Sequence, residues 1–446
     1  MKTGFMHRIL VWSLVAAGAA WDPSAASAQQ PPTIRLAVAD AVERALTTSH
    51  RVSEVEARRD AATADVASKA AADRPTVSLL AGYTRTNHVV PFGIPPTNPT
   101  AILYPDVPDN WRTRIDLQWP IYTFGRIEGL ERAAKADETA AGKDVETARA
   151  DIRLDATRSF WALVTANESV RVVEEAMTLI EAHLRDVKNM FAVGLVAPND
   201  VLSVEARLAR QRVLLIETHN MRDVADADLK RVTGIPSEAT LVVDAALAMV
   251  PDSAPEVSAL LTEAKAGRTE RQSLQARAAG LDDRRSAVAA GLKPVIALGA
   301  GYDYARPNPK IFPRSNAWMD SWDVGVNFAW PLWDGGRVKA DVAQVAANKR
   351  AVDERLADFD TTLAFEVRQR GLDLEAARAS IVAAGEEVAA AAEARRVVAE
   401  RFKAGLVSNT EVLDAQQALL VAELERTRAQ AAARLAQARL DRAVGR

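Results

Sequence analysis

The stretch FAVGLVAPNDVLSVEARLARQ (residues 191–211) is written again as FKAGLVSNTEVLDAQQALLVA (residues 402–422), 211 positions later. The same offset relates WPIYTFGR at Trp119 to WPLWDGGR at Trp330, and LKRVTG at Leu229 to LDRAVG at Leu440. Farther upstream the offset becomes 219, where RPTVSLLAGY (ending at Tyr83) matches KPVIALGAGY (ending at Tyr302). The change of eight falls between Tyr83 and Trp119, so a loop of variable length, and hence an exposed one, lies there. One register held over so long a span means that the fold is an internal duplication, and each copy must be one supersecondary unit.

Between Gly125 and Gly194 there is no proline, and Leu163, Val170, Met177, Leu184 and Phe191 recur every seven residues. Ala166, Val173, Ile180 and Val187 follow three residues behind the first four, which is the seam of a coiled coil. A helix over 126–190 would be roughly 100 Å long at about 1.5 Å per residue, more than a compact core can cover. The second copy, 337–401, keeps Leu374, Ile381, Val388, Val398 and Phe402 but fills other seam positions with alanine and is broken at Arg395. Closer packing is expected there.

At the end of each seam a glycine, Gly194 or Gly405, suits the left-handed residue that stops a helix. Ser408 to Glu411 then reads as a capping box, and Pro198 with Asp200 starts the matching helix in the first copy. Each copy therefore has a hairpin tip, at 191–200 and 402–411. Capping accounts for Asp200 and Glu411 but not for Asp414, one turn beyond Glu411, whose counterpart is Ser203.

Between the helical segments the period changes. Trp111, Thr113, Ile115, Leu117, Trp119 and Ile121 alternate with Arg112, Arg114, Asp116, Gln118 and Tyr122, a strand with one apolar and one polar face. Trp322, Val324, Val326, Phe328, Trp330 and Leu332 repeat the pattern, and shorter alternations precede them at 76–87 and 295–304. Four strands of this length, ending in tryptophan and tyrosine, fit a membrane-spanning hairpin in each copy. A small soluble sheet is the alternative, and it would leave a large apolar patch in water. Four strands cannot close a barrel, so strands in lipid require several chains.

Composition narrows the function. The 446 residues are 48% hydrophobic but only 5% aromatic, the net charge is −3, and no basic cluster suggests nucleic acid. Lys2, His7 and Arg8 precede an apolar run and Ala26-Ser27-Ala28, so residues 1–28 read as a signal peptide, or as a short membrane anchor. With no cysteine there is no disulfide, thiolate metal site or lipid-bearing N-terminal cysteine. The histidines after the leader, His50, His88, His183 and His219, show no metal-ligand spacing, and no catalytic motif or cofactor site is evident.

The duplicated Phe-x-x-Gly-Leu-Val tip, the duplicated Trp-Pro before each long helix and the constant spacing resemble the TolC-type outer-membrane efflux protein family over nearly the whole chain. The resemblance implies a mixed α/β membrane protein. Three chains of four strands would form one 12-stranded outer-membrane barrel, continued by a long periplasmic helical barrel. It implies no enzyme and no cofactor, but a passive exit duct that meets a periplasmic adaptor and an inner-membrane transporter at its far end. The division expected is repeat 1 over 29–234, a linker or equatorial segment over 235–254 and repeat 2 over 255–446. Each repeat is a leading helix, a β-hairpin (76–123 and 295–333), a long helix, a tip and a return helix. By resemblance Glu411, Asp414 and Asp200 would form an acidic ring gating the periplasmic end. Gly194, Leu195, Val196, Gly405, Leu406 and Val407 would meet the adaptor. Trp111, Trp119, Trp322, Phe328 and Trp330 would face outer-membrane lipid. Relatives latch this tip with tyrosine and arginine, whereas Phe402 and Val407 stand here, so closure is expected to rest on packing. The alternative reading is a soluble periplasmic coiled-coil scaffold.

Overall fold

The computed structural model describes residues 33–94, 101–245, 247 and 256–446. The expected leader, residues 95–100 of the loop between Tyr83 and Trp119, and most of the second half of segment 235–254 lie outside the described residues. The first half runs β1 (Thr33–Leu36), α1 (Val38–Thr48), α2 (His50–Ala71), β2 (Thr76–Arg85), β3 (Phe92–Ile94), β4 (Ala101–Tyr104), β5 (Asp109–Tyr122), α3 (Arg126–Ala192) and α4 (Pro198–Thr233). The second half runs β6 (Thr240–Val243), α5 (Val257–Gly267), α6 (Thr269–Ala289), β7 (Val295–Arg306), β8 (Met319–Ala329), α7 (Arg337–Lys403) and α8 (Asn409–Val444). Both long helices have 67 residues and both return helices have 36. Each long helix starts after a left-handed glycine, Gly125 or Gly336.

The strands form one antiparallel sheet in the order β2-β5-β7-β8. Register puts Tyr83 opposite Trp111, Trp119 opposite Leu298, Tyr302 opposite Trp322 and Ile296 opposite Phe328, all on one face. Tyr83, Trp111, Trp119, Tyr302, Trp322 and Phe328 are exposed, as is Trp330 just beyond β8, while Ile296 and Leu298 are half-buried. Arg112, Arg114, Asp116, Asp303 and Asp323 share the other face, because side chains alternate along a strand. Trp119 Nε1 donates to the Asp73 carbonyl at 3.0 Å and Trp330 Nε1 to the Leu292 carbonyl at 3.1 Å, one bond repeated at equivalent positions. Each tryptophan thus keeps its polar handle satisfied while its ring stays outside, at the end of the sheet nearest the helices.

Below the sheet α3 is the hub. It packs against α2 and α6 near the sheet, then against α4 and α8, while α7 packs against α6 and α8. Eighteen residues of α3 are buried against seven of α7, although the two helices are equally long. Within the hairpins α7 and α8 are nonetheless in more extensive contact than α3 and α4, in line with the closer packing expected of the second copy; α7 is less buried because it is an edge helix in one chain, while its alanine seam positions Ala377, Ala384 and Ala391 turn inward.

Two expectations are revised and one is filled in. The leading helix of each half is two helices, broken at Ser49 and at Arg268 with nearly identical backbone angles (φ −68°, ψ 114° and 115°). Residues 235–254, expected as a linker or equatorial segment, carry β6, which pairs in parallel with β1, Thr33 to Thr240 through Leu36 to Val243. That pair rests on Phe160, Leu163 and Leu229 and closes an equatorial core of which Leu36 is part. The loop between β2 and β5 carries the short β3–β4 ribbon. Among the described residues no helix is long and apolar enough to cross a membrane.

Candidate functional site at the helical tip

At the far end of the bundle both long helices stop in the same way. Gly194 (φ 76°) and Gly405 (φ 72°) are left-handed, a conformation that a β-carbon would strain. The N–H groups of Leu195 and Leu406 donate to the Met190 and Arg401 carbonyls, both at 2.9 Å, closing the terminal turn. Leu195 and Leu406 then project into solvent, each 73% exposed, while Val196 and Val407 turn partly inward onto the core beneath.

The return helices begin on carboxylate caps. The Asp200 carboxylate accepts from the Ala197 N–H at 3.1 Å, and Glu411 accepts from the Ser408 N–H and hydroxyl, both at 3.0 Å. These bonds hold the Glu411 carboxyl below its ordinary range. Asp414 is exposed and has no hydrogen-bonding or ionic partner among the described residues. It borders a shallow groove between α7 and α8 with Glu387 on the opposite wall. The three acids therefore divide into two that cap and one whose charge is free.

Phe402 and Phe191, equivalent in sequence, have different surroundings. Phe402 is 8% exposed in a cluster with Ile180, Val187, Val204, Leu208, Val412 and Leu413, whereas Phe191 is 45% exposed. The difference follows from α3 being the hub: the second tip leans on α3, and the first has nothing beyond it within the chain.

Sequence reasoning missed a buried polar link here. His183 Nε2 lies 2.7 Å from Asn409 Oδ1, and Asn409 Nδ2 donates to the Asp200 carbonyl at 3.2 Å, tying the two tips together. The Phe402 ring meets the imidazole edge-on at 5.2 Å. Burial lowers the His183 pKa, opposed by the Asn409 bond and by Asp186. The available signal was the position of His183 beside the seam, one turn from Ile180 and one from Val187. No group of three or more His, Asp or Glu side chains among the described residues is placed to hold a metal ion.

A duplicated helical hairpin, hung from a duplicated β-hairpin whose outer face is apolar, is the architecture of an outer-membrane channel protein. The chain belongs to the outer membrane efflux protein family, whose profile matches residues 41–235 and 260–446. The TolC outer membrane protein of Salmonella enteritidis is 25% identical over 388 residues, covering 83% of this chain and 74% of TolC. The CyaE protein of Bordetella pertussis is 25% identical over 395 residues, covering 86% and 80%. In fold, the crystal structure of the outer membrane protein VceC from Vibrio cholerae superposes with a TM-score of 0.76 at 19% identity, covering 92% of this chain and 96% of that one.

Proposed function

We propose that three copies of this chain assemble into a passive exit duct. Twelve strands cross the outer membrane, and a ring of helices carries the passage through the periplasm to an adaptor and an inner-membrane transporter. The observation that carries this reading is that one chain is unfinished on both flanks and at both levels. Among the described residues β2 and β8 are paired on one side only, and an open strand edge is not tolerated in lipid. In the bundle α4 and α7 are likewise edge helices. Val213, Ile216 and Val224 form an exposed apolar stripe on α4, and Phe365 and Leu372 form another on α7. Docking α7 of one copy on α4 of the next, and β8 on β2, would cover both seams by one rotation, which is how a closed ring is made.

In such a ring Trp111, Trp119, Trp322, Phe328 and Trp330 face lipid, and the polar face of the sheet lines the lumen. Leu195 and Leu406 are apolar contacts for the adaptor. Asp414 supplies the uncompensated charge of the gate, three carboxylates of nine, because the charges of Asp200 and Glu411 are offset by the helix N-terminal N–H groups that they cap. Such a ring attracts cations and resists anions.

The assembly is tested by extracting the full chain from outer membranes in mild detergent and measuring its mass by light scattering. A mass of three chains supports the duct. A detergent-independent soluble monomer would overturn it in favour of a periplasmic scaffold.

A further inference from the structure

The sheet is a single layer, yet its two faces differ in exposure at the end away from the helices. On β7, Tyr302 and Tyr304 are exposed, whereas Gly301, Asp303 and Ala305 on the other face are buried. The cover is the connection from β7 to β8, which folds back over the polar face instead of continuing outward. Asn308, itself buried, donates through Nδ2 to the Met319 carbonyl at 3.0 Å and to Ser321 Oγ at 2.9 Å. Lys310 Nζ lies 2.9 Å from Asp303 Oδ2 and also pairs with Asp323. Asp303, with no exposed side-chain surface, additionally accepts from Arg112 Nε at 2.8 Å and pairs with Arg114. A β-carbon on Gly301 would run into the Arg114 guanidinium, so the glycine lets that arginine lie flat across the sheet. Farther along the loop the Arg314 N–H donates to the Leu103 carbonyl at 3.2 Å, and its guanidinium covers the Tyr104 ring at 4.7 Å, anchoring the loop to β4.

We infer that this inward-folded loop, held by Lys310, is a size-limiting constriction at the outer mouth of the duct. The inference rests on the reading above in which the polar face lines the lumen. The cluster under the loop holds three cations (Arg112, Arg114, Lys310) and three carboxylates (Asp116, Asp303, Asp323). Its charges cancel, so it exerts little net field on a passing solute. It acts as a strut, in which charge-assisted bonds fix the loop position. Selection at this point is by width, in contrast to the unbalanced charge at the tip.

Because the chain has no cysteine, a single reporter reads access without background. Asn327 is exposed on the polar face of β8, near the end of the sheet away from the loop. In whole cells carrying Asn327→Cys, graded polyethylene-glycol maleimides are added outside, the smallest already too large for general porins. With the native loop the smallest reagent labels and the largest do not. Lys310→Ala combined with Asn308→Ala, or replacement of residues 308–316 by a short Gly-Ser turn, should raise labelling by the large reagents severalfold while trimer mobility is unchanged. Equal exclusion of large reagents with and without the loop would overturn the constriction. Failure of the smallest reagent to label any of these proteins, loop-less ones included, would refute instead the assignment of the polar face to an open lumen.

Discussion

Replacing Phe402 with alanine removes a ring that is almost wholly enclosed by α3, α4 and α8, together with its edge-on contact to His183. Core Phe→Ala substitutions cost about 3–5 kcal/mol, the spread reflecting how far the site collapses. Phe191→Ala is the internal control, since it deletes the same side chain at the equivalent position of the other repeat, where nearly half of it already meets water. A cost under about 1 kcal/mol is expected there. The difference of about 3 kcal/mol corresponds to roughly a hundredfold change in the local opening equilibrium of the tip. Hydrogen exchange of peptides covering residues 180–208 and 400–420, in the assembled protein, reads that opening directly. Phe402→Ala should accelerate exchange through both tips, because Asn409 and His183 connect them, and Phe191→Ala should leave exchange near wild type. Equal acceleration by the two substitutions would refute the argument that packing on α3 separates two copies of one sequence.

At the proposed gate, Asp414→Asn should weaken block of single-channel current by trivalent cations in a planar bilayer. Glu411→Ala should leave the block nearly intact and instead loosen the tip through the lost half of the capping box, read as faster hydrogen exchange at the start of α8; a loss of block as large as that from Asp414→Asn would show that the two acids share the ring. For His183 the sign follows from its lowered folded pKa: the closed tip resists protonation and the opened tip accepts it. The stability contributed by the neutral imidazole is then fully present above its unfolded value of about 6.5 and is lost as pH falls toward the folded value. Tip exchange, corrected for its intrinsic pH dependence, should be faster at about pH 5 than at about pH 7.5, and His183→Gln should flatten that difference. A pH dependence unchanged in His183→Gln would place the sensitive group elsewhere.

What could be read from the sequence was whatever repeats or alternates locally. The heptads of α3, the alternation around Trp111 and Trp322, and the glycines at 194 and 405 each specify backbone conformation from nearest neighbours. What could not be read depends on partners distant in the chain. β1 and β6 are four residues each and some 200 residues apart, so neither carries enough pattern to announce a strand. Ser49 breaks its helix with no glycine or proline beside it, and at the Arg268 break the single Gly267 matters through its close approach to the Val444 carbonyl, a contact between distant parts of the chain. The burial of Phe402, the His183–Asn409 link and the return of Lys310 onto the sheet are likewise tertiary outcomes. At the tip the residue types and the division of labour were both legible, because the capping pattern assigns Asp200 and Glu411 to backbone N–H groups and leaves Asp414 over.

The imbalance between α3 and α7 has a genetic consequence if three chains close the ring. A chain whose α7 face is damaged still folds around its own α3, still presents an intact α4, and still enters assembly, where it leaves one joint of the ring unsealed. When damaged and intact chains are made in equal amounts, only about one ring in eight contains three intact α7 faces. Alleles that roughen the surface at Phe365 or Leu372 should therefore interfere with the wild-type copy, whereas alleles that destroy the interior of α3 should drop out before assembly and behave as simple losses.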